Sequence, residues 1–386
     1  MKIVADENMP GLEPLGSWAE LTLLPGRTLS RADVVDADVL LVRSVTAVNS
    51  RLLAGSAVRF VGSATIGTDH IDLDWLQSHG IAFAHAPGCN ARAVAEYVLQ
   101  AALRWSQQRQ EPLAGKRIGL VGLGNVGSEV AMLFGALGCG VLAIDPPRQH
   151  CREEVNNTVW ASEAEVLACD IVSVHVPLTR QGEDATWHMI DAAKLTGLSA
   201  RQLLMSTCRG AVIDNDALLQ RLAQPDAPVV VLDVWETEPC VPPALFGLVS
   251  LGTPHIAGYS VQGKLLGSAM VMTALHQWME QRSGAGEVAQ THIQSDRITA
   301  PAAIWPHDIG SDEALLALLV GRYDLGVDHR HLQDSLAEQN PGDAFDRLRK
   351  QYAGRNELSG VAIAGAVSVA YRPVLNYLGV TFTESS

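Results

Sequence analysis

The chain has 386 residues, with 28 Lys and Arg against 42 Asp and Glu and a formal charge of −14. At roughly 150 residues per domain this length predicts two or three domains, which excludes a small stapled scaffold. A field of that sign repels phosphate backbones and anionic headgroups, so no nucleic acid and no membrane surface is an expected partner; an anionic metabolite would need a local cationic pocket.

At the N-terminus, MKIVADENMP holds only a short apolar run before Asp6, too short for the core of a signal segment. The stretch from Gly360 to Tyr371 carries little charge but falls below the roughly 20 residues needed to span a bilayer. Cys89, Cys139, Cys151, Cys169, Cys208 and Cys240 are scattered, with no C-x-x-C pair and no metal-type clustering. Reduced thiols in a cytoplasmic protein without a metal site are the expectation.

Short runs rich in Val, Ile and Leu recur along the chain: KIVAD, VLLVRS, VRFVGSA, IAFAHA, RIGLVG, VLAID, IVSVHV, LLMSTC and VVVLDV. Continuous apolar character, without alternation, marks strands buried on both faces, so the class is α/β with a parallel sheet flanked by helices. Between the fourth and fifth runs, NARAVAEYVLQAALRW places Ala95, Val98, Leu99, Ala102 and Leu103 at the spacing of a buried helical face. The polar stretch SQQRQEPLAG after it suits a passage between domains. A second helical pattern, from about Gln262 to Met279, is placed to carry the chain back and make the first domain discontinuous. From about Gly284 the composition becomes that of an exposed connector or extended strand. The last hundred residues then hold two helical stretches and the β-prone run GVAIAGAVSVAYRPV.

RIGLVGLGNVGSEVAMLFGALG reads as a strand running through Gly122, Gly124 and Gly127 into a helix. The first glycine permits a tight turn, the second lets a pyrophosphate approach the backbone, and the third lets helix and strand pack closely. The phosphates would sit on the helix N-terminus. The next strand ends in VLAIDPPR, which places Asp145 about 20 residues on, where a carboxylate accepts the ribose hydroxyls and disfavours a 2′-phosphate. NAD is therefore expected over NADP, although Arg148 is near enough in sequence to offset the carboxylate.

Three later segments put polar groups at strand ends, where open α/β sheets bind ligands. LLMSTCRGAVIDNDAL offers Arg209, with Asp214 or Asn215 to start a helix; VVVLDVWETEP offers Asp233 and Glu238; SLGTPHIAGYS offers His255. Singly these read as a surface ion pair, a loop carboxylate and a turn histidine. Together they make a device for oxidising a 2-hydroxy acid. A guanidinium grips the substrate carboxylate, a neutral imidazole takes the hydroxyl proton, and a carboxylate steadies the resulting imidazolium. Asp233 serves either the nicotinamide carboxamide or a structural cap.

The order GLGNVG, CRG, DVWETEP, TPHIAG resembles the D-isomer-specific 2-hydroxy acid dehydrogenase family over roughly residues 1 to 280. The resemblance implies a Rossmann nucleotide domain, 96–259, inserted in a discontinuous flavodoxin-like substrate domain, 1–95 and 260–285. It implies Arg209, Glu238 and His255 as the catalytic set, and NAD held by Gly122, Gly124, Asn125, Val126, Gly127, Asp145, Val176, Thr207, Cys208, Asp233 and Gly258. VGSATIGTDHID and NARAVAEYVL look like the family's substrate-loop and interdomain-helix segments. The extension, 286–386, with AFDRLRKQYAGRNELSG, resembles that of members acting on a phosphorylated hydroxy acid, in which it is an α+β domain for homodimerisation. By the same resemblance Ser44, Thr65 and Tyr259 contact substrate, with backbone N–H groups around Ala64 and Thr65. Arg43, following VLLV beside Ser44, suits a phosphate, or else a salt bridge. Another 2-hydroxy acid, such as 3-phosphoglycerate, or a non-catalytic NAD sensor on the same fold are the other readings. Arg347, Arg349, Lys350 and Arg355 read as a solvated helix face, or as holding one arginine that closes over the substrate phosphate.

Overall fold

A computed structural model of the chain describes residues 1–151, 158–283 and 298–383. The chain divides into two compact units: Met1–Asn90 with Ser260–Ile298, and Ala91–Tyr259 with Thr299–Ser386. The connector expected from about Gly284, and with it a boundary at 285/286, lies outside the described residues.

The first unit is built on β1 (Lys2–Asp6), β2 (Glu20–Leu24), β3 (Val39–Val42), β4 (Phe60–Ser63) and β5 (Ala82–His85). They pair in parallel in the order β2-β1-β3-β4-β5, the flavodoxin-like sequence of a doubly wound sheet. Every residue of β3 and β4 is buried, as their unbroken apolar runs require. The Val261–Ser283 helix lies against β4 and β5. It comes close because Gly62 has no side chain: a Cβ there would stand 2.3 Å from Val271 Cγ1.

The second unit contains β6 (Arg117–Val121), β7 (Gly140–Ile144), β8 (Val159–Trp160), β9 (Ile171–Val174), β10 (Leu203–Ser206), β11 (Val229–Leu232) and β12 (Leu251–Gly252). Their order is β12-β11-β10-β9-β6-β7-β8, all parallel. The topology is that of a Rossmann sheet, and its order reverses between β6 and β9, the point where such sheets open a ligand crevice. The Ala91–Arg109 helix buries Ala95, Val98, Leu99, Ala102 and Leu103, each no more than 1 % exposed.

That helix is buried on its other side as well, because the C-terminal segment packs onto it. The Leu358 N–H donates to the Glu96 carboxylate at 3.1 and 3.2 Å, and Gln100 pairs with the backbone of Tyr323 and Leu325 at 2.6 and 2.9 Å. Burial, joined by the charge of Glu357, pushes the Glu96 carboxyl up to about 8. Arg355 donates to the carbonyl oxygens of Ala93, at 2.6 Å, and Ala257. The apolar side chains of this segment, Leu315, Leu319 and Leu375 among them, share one core with the helix and with β6.

The segment adds β13 (Ala303–Trp305), β14 (Val361–Ile363) and β15 (Thr381–Phe382) in one parallel sheet. Among the described residues four α-helices accompany it, Asp312–Arg322, Leu325–Leu336, Pro341–Lys350 and Arg372–Tyr377, where the sequence suggested two. The β-prone run yields only a three-residue strand and then turns helical, with Pro373 in the first turn of the last helix. Among the described residues no helix is long and apolar enough to cross a membrane.

Candidate active site

The three glycines of the loop after β6 differ in what surrounds them. Gly122 has φ +91°, and a Cβ there would meet Val176 Cγ1 at 2.7 Å and the His175 carbonyl oxygen at 2.8 Å, so glycine is required for both turn and packing. A Cβ at Gly127 would lie 2.2 Å from the Gly122 oxygen, which fixes the Asn125–Ala136 helix against the strand end. Around Gly124 nothing stands within 4 Å, and no side chain caps the helix it begins. Bare backbone facing open space at a helix N-terminus is what a pyrophosphate needs, so the residues present fit a dinucleotide. Asn125 is exposed and Val126 half-buried in the first turn of that helix.

Asp145 ends β7 and binds back to the same loop. Its Oδ2 accepts the Leu123 N–H at 2.8 Å, and its Oδ1 accepts the Arg148 N–H at 3.3 Å. The Arg148 guanidinium lies on the Leu123 carbonyl, so this cation does stand beside the glycine loop. Val176 and Thr207, which follow β9 and β10, come together around His175, whose Nδ1 is 3.3 Å from Thr207 Oγ1. Cys208 is buried next to them, and burial raises its thiol.

His255 and Glu238 meet directly: Nδ1 lies 2.8 Å from Oε2, while Oε1 accepts the Trp235 N–H at 2.8 Å. Burial alone would favour the neutral acid at Glu238, but the charge and hydrogen bond of His255, the Trp235 N–H and Arg349 outweigh it and hold the carboxyl below its usual value. With Nδ1 oriented by a carboxylate, Nε2 is the nitrogen left to exchange a proton.

His255 adopts φ +57°, a left-handed conformation rare for any residue but glycine. Asp233 holds it there. The Asp233 carbonyl accepts the His255 N–H at 2.7 Å, and its buried carboxylate accepts Ile256 N–H and Ala257 N–H at 2.8 Å and the Thr253 hydroxyl at 2.6 Å. Strain at one residue persists because its neighbours over-determine it.

Arg209 follows β10 and donates from Nη1 to the Cys208 carbonyl at 2.8 Å. Its loop and that of Glu238 are in backbone contact: a Cβ on Gly210 would fall 2.0 Å from the Trp235 carbonyl carbon and 2.3 Å from the Glu236 nitrogen. Only glycine permits this approach. Asp214, not Asn215, caps the next helix, by accepting the Ala217 N–H at 2.9 Å.

Arg43, Ser44 and Thr65 belong to the first unit, at the ends of β3 and β4. Arg43 is half-buried and reaches the Asn8 carbonyl at 3.4 Å; Ser44 is exposed; Thr65 Oγ1 lies 2.7 Å from Ser63 Oγ. Lys264 was not anticipated: burial, with the charge of Arg43, lowers its ammonium to about 8. Gly258 and Tyr259 end the first stretch of the second unit, and Tyr259 is half-buried.

His175 also escaped sequence reasoning, since a histidine inside an apolar strand carries no motif. It is buried, held at about 3 by desolvation, and bonded to Ser173 Oγ at 2.9 Å. Of the C-terminal cations, Arg355 lies beyond the helix end and is buried on backbone carbonyls, which corrects the reading of it as part of a solvated face or as a phosphate ligand. Among the described residues no group of three or more His, Cys, Asp or Glu could hold a metal.

Residues 88–257 match the family described as D-isomer specific 2-hydroxyacid dehydrogenase, NAD binding domain. The chain is 46 % identical over 371 residues to the erythronate-4-phosphate dehydrogenase of Marinobacter nauticus, covering 94 % of both chains. It is 42 % identical to that of Shewanella oneidensis, covering 98 % of this chain and 100 % of the relative. A solved structure of D-lactate dehydrogenase from Aquifex aeolicus, complexed with NAD and lactic acid, shares the fold. It has a TM-score of 0.57 and 22 % identity, covering 74 % of this chain and 98 % of that one.

Proposed function

The chain belongs to the erythronate-4-phosphate dehydrogenases, a branch of the D-isomer specific 2-hydroxyacid dehydrogenase family, and from that premise we propose how its residues carry out the reaction. The protein is an NAD-dependent oxidoreductase that oxidises 4-phospho-D-erythronate at C2 to 2-oxo-3-hydroxy-4-phosphobutanoate, a step of pyridoxal phosphate biosynthesis. Near-complete coverage at this level of identity supports the substrate. The observation that carries the chemistry is the 2.8 Å pairing of His255 with Glu238.

Arg209 binds the substrate carboxylate in a two-pronged hydrogen bond and polarises the neighbouring C2 oxygen. His255 Nε2 accepts the C2 hydroxyl proton and returns it in the reverse direction. Glu238 keeps Nδ1–H pointed at itself and stabilises the imidazolium that forms. When bound, NAD⁺ supplies a hydride acceptor at its nicotinamide ring. Gly122, Gly124, Asn125, Val126 and Gly127 form its pyrophosphate cradle, Asp145 its ribose partner, and Val176, Thr207, Cys208, Asp233 and Gly258 the remainder of its binding surface. Ser44, Thr65 and Tyr259 contact the substrate, with Arg43 as a cation for its phosphate. The working form is a cytoplasmic homodimer assembled through the C-terminal segment.

NADH formation from 4-phosphoerythronate by the purified protein tests cofactor, substrate and chemistry together. His255→Ala is expected to lower kcat by about 10²- to 10⁴-fold, the span of a general base, with NADH binding retained. Near-normal turnover in that variant, or no turnover in the wild type, would overturn the assignment.

A further inference from the structure

Of the C-terminal cations, Arg349 stands apart. Arg347 is exposed and gives Nη2 to both Glu338 oxygens at 2.6 Å, and Lys350 is exposed, whereas Arg349 on the same helix turns inward. Its Nη2 donates to the Tyr259 hydroxyl at 3.1 Å, and its guanidinium carbon lies 5.7 Å from the Tyr259 ring and 5.8 Å from that of Phe345. The Nε atom is buried and has no hydrogen-bond partner among the described residues.

The helix is anchored beside the catalytic loop. Gly342, in its first turn, lies close enough to Pro239 and Cys240 that a Cβ there would stand 3.5 Å from Pro239 Cγ and Cys240 Sγ. Its last turn then brings Arg349 to Tyr259, four residues past His255. Glu238 does not account for the cation. The hydrogen bonds of that carboxylate run to Trp235 and His255, and Arg349 acts on it through its charge.

We infer that Arg349, oriented by Tyr259, is a second cation for the phosphate of the substrate beside the Arg43 proposed above, and so sets the preference for a phosphorylated over a plain 2-hydroxy acid. This deepens the function proposed above and rests on it. A phosphate carries close to two charges and three acceptor oxygens, so it demands several convergent donors. Tyr259 accepts from Arg349 at 3.1 Å and so fixes the orientation of the guanidinium. A guanidinium with five donors, one of them on Tyr259, has capacity left for a two-pronged contact.

The test compares Arg349→Gln and Arg349→Lys with wild type on 4-phosphoerythronate and on erythronate without the phosphate, and measures inorganic phosphate as a competitive inhibitor. Loss of a charge-assisted contact is expected to raise KM for the phosphorylated acid about 10- to 150-fold with a far smaller rise for erythronate, to weaken phosphate inhibition in parallel, and to lower kcat for both acids alike as Glu238 loses a neighbouring charge. Arg349→Lys is expected to recover part of each. Equal rises in KM for both substrates would show that Arg349 only positions Tyr259 and would overturn the inference, as would an unchanged KM. If Arg349→Gln does not fold, the lysine variant and wild-type phosphate inhibition decide. Failure of the wild type to oxidise 4-phosphoerythronate refutes the proposed function instead, and loss of phosphate binding in the variants still reads the Arg349 site.

Discussion

Substituting Gly210 by alanine tests whether backbone contact between two loops is what assembles the catalytic residues. The added Cβ would stand 2.0 Å from the Trp235 carbonyl carbon, 2.1 Å from its oxygen and 2.3 Å from the Glu236 nitrogen, all main-chain atoms that no rotamer change relieves. Carbon atoms rest about 3.5 Å apart, so the loop bearing Arg209 must move away from that bearing Glu238 by about 1.5 Å. Overpacking of this kind costs about 1–3 kcal/mol of stability. A misplacement of about 1 Å between reacting groups costs about 10²-fold in rate. The variant is therefore expected to fold, to bind NADH more weakly, because Thr207, Cys208 and Asp233 lie on the two displaced segments, and to lose at least 10²-fold in kcat. Urea unfolding, NADH fluorescence titration and steady-state turnover read the three quantities. Gly310→Ala, which meets nothing within 4 Å, serves as the silent control. A kcat within threefold of wild type would refute the claim that this contact sets the geometry.

At Gly124 the logic reverses. Alanine there touches no protein atom within 4 Å, so urea unfolding is expected to be unchanged while the NADH dissociation constant rises at least tenfold, about 1.4 kcal/mol. Unchanged affinity would remove the pyrophosphate from this position. Glu238→Gln carries a pH signature. Because the folded carboxyl is held below its ordinary value, its charge contributes stability that is present above the unfolded pKa of about 4.3 and lost as pH falls through the lower folded value. Wild type is expected to exceed the variant by about 1–2 kcal/mol at neutral pH, and the gap to close in acid. A gap that stays constant from neutral pH to well below the carboxylate range would argue against the ion pair.

The nine apolar runs read from the sequence are strands β1, β3, β4, β5, β6, β7, β9, β10 and β11. β2, which escaped, has no fully buried residue, and β8 and β12 have two residues each, so none shows a continuous buried run. One face of the Ala91–Arg109 helix was legible from its period. Its other face was not, because Glu96 and Gln100 look solvated until the backbone of Leu358 and Leu325, more than two hundred residues on, binds them. The chemical types of Arg209, Glu238 and His255, the proposed catalytic set, could be read because each follows a strand end. What could not be read was how they are held: the left-handed His255, the role of Asp233 beneath it and the need for glycine at 210 arise only from packing. Arg349 was one basic residue among four until folding brought it to Tyr259.

The double grip of Arg355, on Ala93 and on Ala257, has a consequence for anyone building minimal or chimeric enzymes from this scaffold. Ala257 is two residues from His255, so amputating the tail would strip the helix of its cover and also unfasten the main chain beside that imidazole. The tail is an inseparable part of the second unit, and a graft of that unit onto another partner domain should carry it along.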